Sequence, residues 1–348
     1  MTTILVTGGC GFIASHFIRL ILSQTNWRVI NLDAITYAGN MENLEDVLSN
    51  PNHVFYRGDI TDSKYVSTIF ETEKPSSVVN FAAESHVDRS IIDSSPFLKT
   101  NILGTHVLLE VARQKQTSRF LQVSTDEVYG DAEGKAPRRE DDLLKPSSPY
   151  ASSKASADLL CLSYHRTYGM PIIIVRSANN YGPFQFPEKL IPLMIRKALT
   201  NSSLPVYGDG LQQRDWLYVK DNVSAILSAL QSGHIGSIYN IGTGIDRTNL
   251  DVINTICDLL AEEQGEDTEK FRSLIEFTAD RPGHDRRYAL DTERIKTELG
   301  WSAQVSFDVG LKDTIRWYLN NQSWIESVTS GKYTTYYEDV YAGLKQDS

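Results

Sequence analysis

The sequence predicts an α/β protein built on a doubly wound parallel sheet, joined to a smaller, discontinuous α/β lobe. Short β-branched runs at 3–7, 29–33, 54–59, 78–81, 120–124 and 172–176 alternate with longer helical patterns, which is the rhythm of strand–helix–strand units in a parallel sheet. A glycine-rich turn follows the first run directly, as it does where such a sheet receives a nucleotide. After Tyr181-Gly182-Pro183 the pattern loosens into segments punctuated by Pro and Gly, and a later run at 237–241 is placed to return to the first sheet. The expected division is therefore 1–183, with a returning segment at about 220–245, for the sheet domain, and 184–219 with 246–348 for the second lobe.

Residues 12–24, 98–115 and 150–168 read as helices between strands. The second carries Ile102, Leu108, Leu109 and Val111 at helical spacing, a stripe suited to core or to helix–helix contact. The acidic patch at 262–269 reads as a solvated surface loop. A chain of 348 residues that is 41% hydrophobic and 22% charged has enough apolar side chain for a sizeable core. Its formal charge of -10 opposes attraction to polyanions, and no basic run exceeds pairs such as Arg138-Arg139 and Arg286-Arg287, so nucleic acid is not an expected partner. Cys10, Cys161 and Cys257 are far apart and show no metal-binding spacing, which predicts reduced thiols, a cytoplasmic setting and no metal. No basic segment precedes the first strand and no apolar run reaches the ~18–20 residues that span a bilayer, so no membrane partner is expected.

Thr7-Gly8-Gly9-Cys10-Gly11-Phe12-Ile13-Ala14 ends a strand, opens a helix and matches G-x-G-x-x-A at Gly9, Gly11 and Ala14. Small residues there permit a tight turn, let backbone N–H groups approach a pyrophosphate, and let helix pack on strand. Asp33 ends the second strand at the spacing of a ribose-binding carboxylate. It would accept hydrogen bonds from a free 2′-hydroxyl and repel a 2′-phosphate, predicting NAD over NADP and a Rossmann-type sheet. Asp33 read blandly is a turn residue at a strand end.

Ser124-Thr125-Asp126-Glu127 lies where the fifth strand ends, and Tyr150 and Lys154 stand one helical turn apart further on. A cationic Lys near a Tyr favours the phenolate, which predicts a lowered Tyr150 pKa and a base usable near neutrality. Alone, Tyr-x-x-x-Lys is a common surface pair, and Asp126-Glu127 a loop or helix-start pair. Together with the nucleotide motif they read as catalytic.

Phe81-Ala82-Ala83-Glu84-Ser85-His86-Val87-Asp88-Arg89-Ser90, Ser124-Thr125-Asp126-Glu127-Val128-Tyr129-Gly130, Asn179-Asn180-Tyr181-Gly182-Pro183, Pro187-Glu188-Lys189-Leu190-Ile191-Pro192, Arg214-Asp215-Trp216 and Asp280-Arg281-Pro282-Gly283-His284-Asp285-Arg286-Arg287-Tyr288, with the glycine turn and Tyr150-x-x-x-Lys154, resemble the dTDP-glucose 4,6-dehydratases of the extended short-chain dehydrogenase/reductases. The resemblance covers nearly the whole chain in unbroken order. It implies that Tyr150 is the base for the C4 hydroxyl as hydride passes to NAD, with Thr125 holding that oxygen and Lys154 supporting Tyr150 and the nicotinamide ribose. Glu127 would take the C5 proton and Asp126 would protonate the leaving C6 hydroxyl. It further implies that Gly8, Gly9, Gly11, Phe12, Ile13, Asp33, Ala34, Thr36, Asp59, Ile60, Phe81, Ala82, Ala83, Ser85, Thr100, Tyr150, Lys154 and Asn180 face NAD. Ser85, Thr125, Asn179, Lys189, Leu190, Pro205, Tyr207, Arg214, Asn249, Arg281 and His284 would face the nucleotide sugar, and a homodimer would form through the helices at about 98–115 and 150–168. His86 reads equally as a hydrogen-bonded loop residue.

Ala14 stands where a third glycine is frequent and Ala178 where a Ser is common, both small replacements; the segment between Gly130 and Tyr150 is short beside many relatives. A UDP-glucose 4,6-dehydratase would share all this chemistry and differ only in base recognition. A sugar-nucleotide 4-epimerase generally lacks the Asp-Glu pair, a UDP-glucuronate decarboxylase keeps the Glu without the Asp, and a non-catalytic nucleotide sensor usually loses Tyr or Lys.

Overall fold

The computed structural model describes residues 2–330. The strands in chain order are β1 (Thr3–Thr7), β2 (Arg28–Asp33), β3 (His53–Arg57), β4 (Ser77–Asn80), β5 (Arg119–Thr125), β6 (Ile172–Ser177), β7 (Asn179–Tyr181), β8 (Leu204–Tyr207), β9 (Gln213–Tyr218), β10 (Ile238–Ile241), β11 (Asp246–Thr248) and β12 (Ile275–Thr278). Seven of them form one parallel sheet in the order β10-β6-β5-β4-β1-β2-β3. β1, β2, β4 and β6 are buried nearly end to end, which is why they appear as continuous apolar runs and not as alternations. The order reverses between β1 and β4, and such a reversal opens a crevice at the carboxyl ends of the strands.

The helices are α1 (Phe12–Gln24), α2 (Ser63–Glu73), α3 (Val87–Ile92), α4 (Ser95–Phe97), α5 (Thr105–Gln114), α6 (Pro149–Tyr168), α7 (Leu190–Leu199), α8 (Val219–Ser232), α9 (Asn249–Gln264), α10 (Thr268–Arg272), α11 (Glu293–Leu299), α12 (Phe307–Asn320) and α13 (Gln322–Thr329). One core fills the space between the sheet and α1, α8 and α11, with Phe17, Ile18, Leu121, Ile226 and Ile295 fully buried. The opposite face packs on α2, α5 and α6 through Ile69, Leu108, Leu109 and Cys161. A third core, around Ile191, Ile253, Leu260, Leu311 and Ile315, belongs to the second lobe, which carries the three-stranded sheet β11-β9-β7 and the pair β12-β8.

Two expectations are corrected and one is refined. The helix expected at 98–115 is a π-helical stretch over Leu98–Gly104 that continues into α5. At this wider turn the Asn101 amide accepts from Glu84 N and donates to Glu84 O and Ser153 Oγ. The 262–269 patch is not one solvated loop, because Glu262 and Glu263 lie on α9, where Lys312 and Arg316 of α12 pair with them. The lobe division also differs: Leu290, Ile295, Leu299 and Trp301 pack into the first lobe's core, whereas β7, expected in the first domain, pairs with β9 of the second lobe. The expected span 331–348 lies outside the described residues. Among the described residues no helix is long and apolar enough to cross a membrane, and all three cysteines are buried and unpaired.

Candidate active site

The turn after β1 is built so that its backbone borders a cleft. Gly8 has φ +69°, and a Cβ there would sit 2.8 Å from the backbone N and Cα of Ala82. Gly11 N donates to Gly8 O at 3.0 Å and caps α1, whose first turn has neither a side-chain cap nor an acidic residue. The α1 N-terminus therefore leaves N–H groups for an anion. Asp33 at the end of β2 accepts from Cys10 N (2.9 Å) and Ile35 N (2.7 Å), and burial raises its pKa. Gly8, Gly11, Phe12, Ile13, Asp33, Ala34, Thr36, Asp59, Ile60, Phe81, Ala82, Ala83, Ser85, Thr100, Tyr150 and Lys154 all line this cleft. A glycine cradle, an uncapped helix end and a carboxylate at the far side suit the pyrophosphate and ribose of a dinucleotide. Gly9 does not line the cleft; it backs onto the Asn31 side chain. Asn180 Nδ2 donates to Ala178 O at 2.9 Å, and its buried Oδ1 has no hydrogen-bond partner. Gln185, Phe186 and Glu188, which the sequence reading left out, close the cleft's other wall.

The candidate catalytic residues meet where β5 stops. Thr125 Oγ1 accepts from Glu127 N and caps a single 3-10 turn, Asp126–Tyr129, that projects the two carboxyls. Thr125 Oγ1 also donates to Asp126 Oδ1 at 3.1 Å, and it hydrogen-bonds the Tyr150 hydroxyl. α6 starts with Ser148 as cap and Pro149 in its first turn, and Tyr150 N donates to Ser90 Oγ, tying the helix start to α3. Asp126 is 4% exposed and its Oδ2 has no hydrogen-bond partner. Burial, with the Glu127 charge beside it, pushes its pKa up to about 8. Burial also raises Glu127, but Arg281, Arg214 and Lys189 all oppose that rise. Burial and the Glu127 charge thus favour the protonated form of Asp126, while the surrounding cations favour the ionised form of Glu127.

One electrostatic expectation is overturned. The Tyr150 phenol is raised, not lowered, because burial and the Glu127 charge disfavour the phenolate. Lys154 Nζ donates to Val123 O at 2.7 Å.

A second pocket adjoins the first and shares Glu188 and Lys189 with it. Asn179, Lys189, Leu190, Pro205, Tyr207, Arg214, Asn249, Arg281 and His284 line it, together with Glu127. Ser85 lines only the cleft, and Thr125 lines neither space, sitting between Tyr150 and Asp126. β11 pairs antiparallel with β9, setting Arg247 opposite Arg214, and Arg214 stacks on Tyr288 at 4.2 Å. Arg281 pairs with Asp88 at 3.1 Å, and His284 Nδ1 lies 2.7 Å from Asp280 Oδ1. His86, read as an open choice, both caps α3 and lines this pocket; burial holds its pKa well below the usual histidine value, so it is neutral. His86, Asp88, Trp216 and Tyr288 line the pocket as well. All four stand inside motifs quoted for the resemblance, so the signal was present. Asn101, which ties α6 to the 81–86 loop, had none.

A dinucleotide cleft and a cation-lined pocket that meet at a Tyr, a Thr and two carboxyls are the arrangement of extended short-chain dehydrogenase/reductases. The chain belongs to the GDP-mannose 4,6-dehydratase family, whose model matches residues 5–314. It is 47% identical to dTDP-glucose 4,6-dehydratase 1 of Escherichia coli K12, over 98% of this chain and 99% of that protein. A crystal structure of a dTDP-glucose 4,6-dehydratase from Streptomyces venezuelae with NAD and TYD bound superposes with a TM-score of 0.89 at 44% identity, covering 94% of this chain and all of that one. A UDP-glucose 4-epimerase from Thermotoga maritima shares the architecture with a TM-score of 0.83 at 33% identity, covering 92% of this chain and 100% of that one.

Proposed function

We propose that the protein is an NAD-dependent hydro-lyase that converts dTDP-glucose to dTDP-4-keto-6-deoxyglucose and water. The observation that carries this reading is the pair of carboxyls, Asp126 and Glu127, on the turn that ends β5 beside Thr125 and Tyr150, with Glu127 lining the second pocket, a pair that hydride chemistry alone does not need. NAD would be held by the glycine turn and Asp33, and would take the hydride from C4 and return it to C6 once water has left. Tyr150, as the phenolate that the Lys154 ammonium and the positive charge of bound NAD would favour over the raised phenol, would remove the C4 hydroxyl proton while Thr125 hydrogen-bonds the same oxygen. The resulting C4 carbonyl acidifies C5, so Glu127 removes that proton while Asp126 gives its own to the departing C6 hydroxyl, which leaves as water. Glu127 then returns its proton to C5. Tyr150 has gained one proton and Asp126 has lost one; Thr125, hydrogen-bonded to both, is the shortest route for resetting them. Arg214, Arg281 and Lys189 supply positive charge for the pyrophosphate. Incubating purified protein with dTDP-glucose and, separately, with UDP-glucose, without added reductant, tests this by mass. Loss of one water from dTDP-glucose is expected; loss from UDP-glucose alone, or from neither, overturns it.

The protein further reads as a cytoplasmic homodimer. Leu98, Leu103, Leu159 and Tyr168, on the 98–104 stretch and α6, are 48–57% exposed, an apolar surface that a second copy would cover through an isologous interface. The dimer's mass is expected in sedimentation at micromolar concentration, and Leu159→Arg is expected to shift the protein to monomer. A monomeric parent would refute it.

A further inference from the structure

Below the reaction centre, α6 carries Tyr150, Lys154 and Asp158 at four-residue steps, so all three lie along one face. None is more than 8% exposed, and Asp158 is fully buried. Asp158 Oδ2 accepts from Arg176 Nε at 2.9 Å, while Oδ1 has no hydrogen-bond partner. Arg176 is 1% exposed and lies on β6 opposite Ser124, the residue before Thr125. Its Nη1 donates to Tyr129 Oη (2.7 Å) and Glu140 O (3.3 Å), and Tyr129 Oη donates to Asn240 Oδ1 on β10 (2.8 Å). One guanidinium thus joins α6, the turn bearing Asp126 and Glu127, and the returning strand. A buried ion pair of this kind is a weak source of stability, since desolvation offsets much of its attraction. Its position calls for another role.

We propose that Asp158 is a positioning residue: its carboxylate, fixed by Arg176, keeps the Lys154 ammonium charged beneath Tyr150. The inference rests on the reading of Lys154 as the support for Tyr150. Burial pulls Lys154 down to about 8, and Asp158 is the largest influence opposing it, ahead of Cys161. Other charged groups on elements packed against α6 are engaged elsewhere. Asp88 of α3 pairs with Arg281, Arg89 of α3 with Glu188, Lys99 of the π-helical stretch with Asp59, and Glu110 of α5 with Arg113 and Tyr164, whose hydroxyl also meets His106. From β5 and its turn, Asp126, Glu127 and Tyr129 face the same interior, and Glu140 approaches from the loop before α6.

The test is a titration of the full protein labelled with ε-13C lysine, with the Lys154 resonance assigned by its loss in Lys154→Met. In Asp158→Asn its midpoint is expected to fall by about one pH unit or more, and the alkaline limb of kcat for water loss to move with it at a nearly unchanged KM. Asp158→Glu, which keeps the charge, is expected to restore the midpoint toward the parent's. A purely structural role would leave the midpoint in place, and an unmoved midpoint overturns the proposal. If Asp158→Asn does not fold, Asp158→Asn/Arg176→Met removes the stranded guanidinium as well, and the same downward shift is expected or the proposal fails. The resonance requires no turnover, so a parent that releases no water from dTDP-glucose would refute the proposed activity while this titration still decides the role of Asp158.

Discussion

Asp126→Asn is expected to lower kcat for water release by about 10²–10⁴-fold, the usual contribution of a positioned general acid. Asn matches the shape of the carboxylic acid but has no comparably acidic proton for the C6 hydroxyl. The first half of the reaction depends on Tyr150 and Thr125 and should survive, so absorbance of reduced nicotinamide is expected to build up when dTDP-glucose is added to the NAD-loaded variant. Full water release by the variant would show that Asp126 is not the acid. The same substitution has a stability signature. Asp126 in the folded protein is raised to about 8 by burial and by Glu127, far above an unfolded Asp near ~3.9. The folded state therefore binds more protons between those values, and stability is lost as pH rises through them. Asparagine cannot ionise, so thermal melting of Asp126→Asn should fall less than the parent's between pH 6 and 9. A parallel fall in both proteins would mean that Asp126 is already ionised at neutral pH.

Gly8→Ala is the second large effect. Its φ of +69° costs an L-residue about 1–3 kcal/mol, and the added methyl would lie 2.8 Å from Ala82 backbone atoms. Either Ala82 retreats and the cleft loses its wall, or the turn opens and the α1 N-terminus moves. NAD affinity is expected to fall at least about tenfold, with a melting temperature several degrees lower. Gly134→Ala separates the two causes. Gly134 has φ +63° with nothing within 4 Å of a built Cβ, so it should show the torsional cost alone and leave NAD binding untouched. Equal NAD affinities for the two variants would remove the close approach at Gly8 from the explanation.

Most of what fills the two pockets was legible in the chain because the residues that approach a dinucleotide or a pyrophosphate are short local motifs. Gly8, Gly11 and Asp33 answer to a strand–turn–helix pattern. Asn179, Lys189, Arg214, Arg281 and His284 were placed by the resemblance that their motifs carry, and all five line the second pocket. Gly9 does not line the cleft, because a motif gives proximity in sequence and not the side of the turn on which a residue packs. Gly9 backs onto Asn31 behind the turn. The acidic patch was misread for a related reason. Glu262 and Glu263 find their cations fifty or more residues away, on α12.

By itself the sequence determined the parallel sheet, the dinucleotide turn and the Tyr150–Lys154 spacing, because strand and helix periods and steric demands on glycine act over a few residues. Tertiary structure alone decided the charge states and the network beneath the site. Burial raises Tyr150 where a lowering was expected, and with the Glu127 charge it raises Asp126 as well. It also brings Arg176 between Asp158, Tyr129 and Glu140. Desolvation and charge–charge coupling depend on what lies within a few ångströms in space, and those neighbours come from strands and helices far apart in the chain.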